Sequence, residues 1–262
     1  MIGSQIAPLI VTDFDPPLTR DSAGFATAND GRTYVLKTQS VHPLLPANEA
    51  FCEALAVACQ LPVATGAWLQ MPDGTECYGS RREWGIEQPF SQAIKQPQLA
   101  YAAIERRWKN IAKPQVASGI FALDLFLFNY DRHFDNYLYQ DQGGNMTILA
   151  IDYSKSFLVV SALPDNLPQP VEMKLIPAQD ERTYLAFNKI RRWVGFDLPH
   201  AQSTLNLLRR VPATWVETIC KSMPQSWLPN DAQGAIVKWW GSTNWLSRIE
   251  TIENGLKDGS LL

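Results

Sequence analysis

The sequence predicts an α+β chain in two parts: a small antiparallel-sheet lobe with one helix over residues 1–85, and a larger, mainly helical lobe over residues 86–262. Three observations carry this reading. Segments of strand character separated by the turn signals Asn29-Asp30-Gly31 and Pro72-Asp73-Gly74 fill the first part, around a single stretch of helical spacing. From Leu99 onward the apolar residues recur at helical intervals, with Pro114, Pro212, Pro224 and Pro229 at the boundaries. One hairpin pattern, from Leu138 to Ile151, interrupts the helices.

In chain order, Ile6 to Val11 is expected as the first strand, and Phe25 to Thr27 and Thr33 to Thr38 as a hairpin. Pro46 and Asn48 open a helix in which Phe51, Ala54, Leu55 and Ala58 share one face. Leu61 to Met71 and Glu76 to Arg82 complete the sheet, followed by a hinge near Glu83 to Gly85 and a loop over Glu87 to Gln98. Helices are expected near residues 99–112, 115–129, 180–195, 199–210, 212–222 and 231–257. The second of these is nearly apolar and is therefore expected at the centre of its lobe. Several of the nine tryptophans fall in the last part of the chain and are assigned to packing.

Composition excludes several classes of function. With 262 residues, 46% of them hydrophobic and 19% charged, the chain can bury a large core and is not a disordered segment. A net charge of -3 supplies neither a basic footprint for nucleic acid nor a polybasic patch for anionic lipid, so neither partner is expected. No G-x-x-x-x-G-K-[ST] or G-x-G-x-x-G is present, which argues against P-loop and dinucleotide-binding folds. Cys52, Cys59, Cys77 and Cys220 lack C-x-x-C spacing, and no basic segment leads into an apolar run at the start; reduced thiols in a cytoplasmic protein are expected.

The chemistry is concentrated between Phe121 and Phe157. An apolar run ends at Asn129 and Tyr130, and Asp131, Arg132, His133 and Asp135 follow at once, as in a loop at the mouth of a core element. Strands around Leu138 and over Thr147 to Ile151 flank the turn Asp141 to Asn145, and antiparallel strands bring Asn136 and Asp152 to the same end. Asp131, Asn136 and Asp152 thus converge. Asn136 and Asp152 suit a hard cation such as Mg²⁺ carried in with a nucleotide. Asp131 is then free to orient an attacking hydroxyl, the role of the first residue in a D-x-x-x-x-N catalytic loop. Upstream, Lys37 is the only lysine in the first ninety residues, and Glu49 and Glu53, four apart on the following helix, are both possible partners for it. Ser22, Ala23 and Gly24 are small enough to bring backbone N–H groups close to phosphates, and Ser22 is also a candidate for autophosphorylation.

The order D131-R132-H133-x-x-N136, a hairpin, then I151-D152, resembles the catalytic core shared by HipA-like kinases and phosphatidylinositol kinases, within the wider protein-kinase-like fold. The sequence V-L-K37 followed by N-E49, the segment Y78-G-S-R, and the tail from ICKSMPQSW to Arg248 resemble the HipA-like pattern as well. The resemblance implies a two-lobed ATP- and Mg²⁺-dependent kinase acting on a hydroxyl, Ser or Thr of a protein in first place. A lipid or small-molecule kinase and a non-catalytic nucleotide-binding module are the alternatives. It implies that Lys37, oriented by Glu49 rather than Glu53, holds the α/β-phosphates, and that adenine meets the hinge. Tyr153-Ser154 stand where protein kinases have Phe-Gly after the metal-binding Asp. The extra N-terminal domain of full-length HipA is not expected, and a regulatory partner protein is left open.

Overall fold

A computed structural model describes residues 7–15, 24–82, 86–87, 102–106, 108–109, 114–142, 145–160 and 181–262. Strands β1 (Leu9–Asp15), β2 (Phe25–Ala28), β3 (Thr33–Lys37), β4 (Gly66–Gln70) and β5 (Glu76–Arg81) form a closed barrel in the order β1-β2-β3-β5-β4. An antiparallel sheet was the expectation; the closure comes from β1, which pairs antiparallel with β2 and in parallel with β4. A register shift between Val11 and Asp13 lets its first half reach β4 while its second half stays on β2, as bulges bend and twist a strand. The strand also lies further along the chain than Ile6 to Val11, since the alternation that marks a half-buried strand is weak in β1, where Val11 alone is buried. The barrel interior is filled by Val11, Ala26, Ala28, Tyr34, Leu36, Ala67, Leu69 and Cys77. Gly79 keeps β4 and β5 close, because a Cβ there would run into the Leu69 side chain.

Helix α1 (Leu45–Ala58) starts with Pro46 in its first turn and ends before Gln60, which adopts the left-handed conformation with φ 58°. Most of its surface is buried, and its core is shared with the helices that follow. Phe51 stacks on Phe157 at 5.4 Å between centroids and meets Trp240 edge-on at 6.1 Å. Ile86–Glu87 form the short strand β6, which pairs with β7 (Tyr137–Gln142), itself hairpinned to β8 (Asn145–Ala150). Glu87 was expected in a loop; two residues are too short to carry a strand pattern. The expected hinge at residues 83–85 lies outside the described residues.

Helix α2 (Pro114–Leu127) is the apolar helix, with α3 (Phe157–Val160), α4 (Glu181–Val194), α5 (Leu198–Arg209), α6 (Ala213–Lys221), α7 (Asn230–Trp240) and α8 (Asn244–Lys257) after the hairpin. The single helix expected over 231–257 is two. Helix α7 stops at Gly241, and the Ser242 hydroxyl donates to the Trp239 carbonyl at 2.6 Å while accepting from the Asn244 N–H at 3.2 Å. Such local bonds compete with helix propagation. The tryptophans pack as expected: Trp108, Trp227, Trp239, Trp240 and Trp245 are all buried. Among the described residues no helix is long and apolar enough to cross a membrane.

Arg248 from α8 is fully buried and anchors the end of α2. Its guanidinium donates to the carbonyls of Leu125 and Phe126, both at 2.7 Å. Those carbonyls are among the last of the helix, where regular i+4 donors run out and Leu125 has only a 3.3 Å bond from the Phe128 N–H, and a cation is favourable at that end of the dipole. Arg248→Met is expected to cost about 3 kcal/mol, from charge-assisted bonds worth about 1.5–3 kcal/mol each, read as a fall of roughly 6–12 °C in melting temperature.

Candidate active site

Helix α2 ends in the segment that builds the site. Phe128 takes φ 55° and the Asn129 N–H reaches back to the Asp124 carbonyl at 2.9 Å, turning the chain out of the helix. Asp124 is the one charged residue on α2 and is buried. It takes two bonds from the Arg132 guanidinium, at 2.9 and 3.0 Å, and a third at 2.9 Å from the Asn129 amide. The remaining Arg132 nitrogen donates to the Asn136 carbonyl at 2.9 Å and to the Ile151 carbonyl. One arginine therefore ties the loop to both feet of the β7–β8 hairpin, and the Ile151 N–H closes those feet on the Asn136 carbonyl at 3.1 Å. The faces of Tyr153 and Tyr137 flank the guanidinium, at 4.8 and 5.7 Å, an arrangement favourable to a cation.

At the second foot, Asp152 has φ 61°, a conformation Asp tolerates better than most residues and one that occurs at functional sites. Its carboxylate lies 2.8 Å from the Lys37 ammonium, which also lies 3.4 Å from Glu49. Lys37 and Glu49 are almost completely buried. Glu49 in turn accepts from the Tyr153 N–H with both oxygens, at 3.1 Å each, so α1 holds the chain just after Asp152. Asn48 on the same helix reinforces this, bonding the Tyr153 carbonyl at 2.6 Å and the Leu158 N–H at 2.9 Å. Glu53, the alternative partner for Lys37, is engaged elsewhere: it takes the Gly66 N–H at 2.9 Å and the Tyr78 hydroxyl at 3.2 Å.

Asp131 is buried at the mouth of the loop. Its carbonyl takes the Asn136 side-chain amide at 2.7 Å, and one carboxylate oxygen lies 2.9 Å from the Lys155 ammonium. The His133 ring is 4.0 Å from the other. Because the Asn136 nitrogen is spent on that carbonyl, its side-chain oxygen is the end left for a cation. Asn136 and Asp152 thus offer one amide and one carboxylate oxygen at paired ends of the hairpin. No cluster of three or more metal-binding His, Cys, Asp or Glu occurs among the described residues. The set fits Mg²⁺, which prefers few protein ligands and takes the rest from phosphates and water.

Ser22 lies outside the described residues. Gly24 has φ 116°, and a Cβ there would press on the Asp15 carbonyl and the Phe14 ring, so the position requires glycine. Its carbonyl accepts from the Leu36 N–H at 2.9 Å, which sets it beside the residue preceding Lys37.

The charges in the cluster are strongly coupled. Burial pushes the Glu49 carboxyl up to about 7, against the pull of Lys37. Burial acts on Asp152 in the same sense, but the Lys37 charge and hydrogen bond overcome it and hold that carboxyl well below its usual range. Burial alone would lower Lys37; Asp152 and Glu49 reverse this and hold it above its ordinary value. The two acids then act oppositely on stability. The Glu49 contribution is complete below its unfolded value of 4.5 and is lost as pH rises through about 7, whereas that of Asp152 is present above 3.8 and is lost on acidification. Glu49→Gln is therefore expected to gain stability relative to the wild type between pH 4.5 and 7, by about 3–4 kcal/mol at most at about 1.4 kcal/mol per pH unit. Urea titrations at a series of pH values measure it; a constant difference would contradict it.

Sequence reasoning missed Asp124, the supporting role of Arg132, and Lys155. A single carboxylate on an otherwise apolar helix was the available signal for the first two, since a buried charge demands a partner. Lys155 follows Asp152 by three residues, but its partner lies on the far side of the hairpin, and no spacing rule points to it.

The architecture is similar to that of solved kinases. The Helicobacter pylori proinflammatory kinase CtkA matches with a TM-score of 0.56 at 10% identity, over 97% of this chain and 100% of that one. HipA in the Shewanella oneidensis MR-1 toxin–antitoxin complex with HipB and operator DNA matches with a TM-score of 0.51 at 14% identity, over 95% of this chain and 68% of that one. No curated protein sequence matches. The fold defines the chain as kinase-like, a mixed α+β chain in which one strand set is a barrel. Its family is narrower: the family model described as HipA-like kinase matches residues 24–252, and the chain belongs to that family.

Proposed function

We propose that the protein transfers the γ-phosphoryl group of Mg-ATP to a hydroxyl, Ser or Thr of a protein in first place. The observation that carries this is the convergence of Lys37, Glu49 and Asp152 at one foot of the hairpin, with Asn136 at the other foot and Asp131 bonded to it. In this reading residues 1–85 form the nucleotide lobe and residues 86–262 the catalytic lobe. Lys37 holds the α/β-phosphates, Glu49 orients it, and Ser22 and Gly24 belong to the loop over the phosphates. Asn136 and Asp152 hold the metal, which when bound neutralises charge on the phosphates. Asp131 orients the acceptor hydroxyl and takes its proton. Little covalent chemistry falls to the protein, so positioning and charge do most of the work.

The Lys37 ammonium lies closer to Asp152, at 2.8 Å, than to Glu49, at 3.4 Å. With nucleotide and cation bound, Lys37 would hold phosphate with Glu49 as its partner, and Asp152 would be available to the cation. All four cysteines are free and buried, which supports a cytoplasmic setting. A regulatory protein partner is part of the proposal; the Shewanella HipA was solved with HipB and DNA. Incubation with γ-labelled ATP and a cell lysate, with Mg²⁺ or EDTA, followed by acid hydrolysis and lipid extraction, tests the reading. Mg²⁺-dependent label in phosphoserine or phosphothreonine is expected; label confined to lipid or small molecules would reject the protein acceptor, and none in any fraction would reject the kinase.

A further inference from the structure

Among the described residues, both acids assigned to transfer face a lysine: Asp152 faces Lys37 at 2.8 Å and Asp131 faces Lys155 at 2.9 Å. The first pair has a place in the reading above and the second does not. Lys155 differs from the surface pairs at Lys109–Glu105 and Lys221–Glu217, whose members lie four residues apart and whose lysines are more than half exposed. Its side chain is 33% exposed and that of Asp131 12%, and the pair joins the segment after Asp152 to the loop before the hairpin. A lysine on a surface helix would gain little from such a contact; this one stands against the acid that orients the acceptor.

We infer that Lys155 is a second cation of the transfer site, holding Asp131 in place before the acceptor arrives and neutralising the migrating phosphoryl group during transfer. The inference rests on the kinase reading above. An acceptor oxygen bonded to Asp131 lies about 3 Å from that carboxylate and, when poised to react, about 3–3.5 Å from the γ-phosphorus. An ammonium within hydrogen-bond reach of the same carboxylate can therefore reach the equatorial phosphoryl oxygens on the acceptor side. During transfer the acceptor oxygen bonds to the γ-phosphorus while the bond to the β–γ bridging oxygen breaks. The electron pair leaves on ADP, and the hydroxyl proton passes to Asp131. The negative charge on the equatorial oxygens then lies between Lys155 on the acceptor side and Lys37 with the metal on the donor side. Lys155 is carried on the chain that Glu49 and Asn48 hold through Tyr153, so its position is coupled to that of Lys37.

The test uses the full chain with Mg²⁺ and γ-labelled ATP, casein as the acceptor protein, and binding of Mg-ADP as a separate measurement. Lys155→Met is expected to lower kcat by about 10²–10³-fold, the scale for removing one donor to developing charge. Mg-ADP affinity should change by less than about threefold and thermal midpoint little; Lys155→Arg should recover part of kcat. A wild type that turns over ATP alongside a Lys155→Met variant of unchanged kcat would overturn this inference and leave the proposed function standing. A loss of kcat matched by an equal loss of Mg-ADP binding or a large fall in melting temperature would assign Lys155 a structural role and overturn it as well. A wild type that binds nucleotide and never transfers label would overturn the proposed function, and the inference with it.

Discussion

Asp152→Asn is expected to reduce phosphoryl transfer by about 10³-fold or more while leaving the protein folded. Asn tolerates the left-handed backbone that Asp152 occupies at φ 61°, and it keeps the shape of the side chain, so the change removes charge alone. The amide is a poor ligand for Mg²⁺ beside Asn136, so the metal's share in neutralising charge on the transferring group is lost; losses of this size correspond to about 4 kcal/mol of transition-state stabilisation. Lys37 retains Glu49 at 3.4 Å, so the ammonium is not stranded. Steady-state transfer assays together with circular dichroism check this, and a variant retaining more than a tenth of wild-type kcat would contradict it.

Arg132→Leu is expected to be the most destabilising single change in the catalytic loop. It leaves Asp124, which is 4% exposed, without its guanidinium partner and removes the arginine bonds to the Asn136 and Ile151 carbonyls at the feet of the hairpin. Removing one member of a buried ion pair costs about 3–5 kcal/mol. The paired change Arg132→Leu with Asp124→Leu should recover part of that loss, because no buried charge is then left alone. Activity should remain low in both, since the loop is no longer tied to Asn136 and Asp152. Denaturant unfolding of the two single variants and the double variant measures the coupling; additive losses would contradict the pairing.

Much of this arrangement is readable in the chain itself. Lys37 stood out as the one lysine of the first ninety residues, and the hairpin pattern alone required Asn136 and Asp152 to meet, as the pairing of Tyr137 with Ala150 does. Most of the helices were legible from their period and their prolines, Pro114 opening α2 and Pro212 preceding α6, but the four-residue α3 and the break between α7 and α8 were not. What was hidden depends on contacts between distant segments. Closure of the barrel needs β1 to touch β4 through only two paired positions, each joining residues 60 apart in the chain. The choice of Glu49 over Glu53 for Lys37 follows from Gly66 and Tyr78, which occupy Glu53; helical spacing puts both acids on one face and cannot separate them. Arg132 reads as part of a polar loop until Asp124, eight residues back on an apolar helix, is seen beside it.

The most direct measurement pairs nucleotide binding with transfer in the wild type and in Asp131→Asn. Because Asp131 is assigned to the acceptor and neither to the metal nor to the nucleotide, Mg-ATP should bind both proteins within about threefold, while label transfer falls by about 10³-fold in the variant, the loss expected when a positioned base and orienting group is removed. Equal labelling by the two proteins would contradict the account, and so would loss of binding in parallel with loss of transfer.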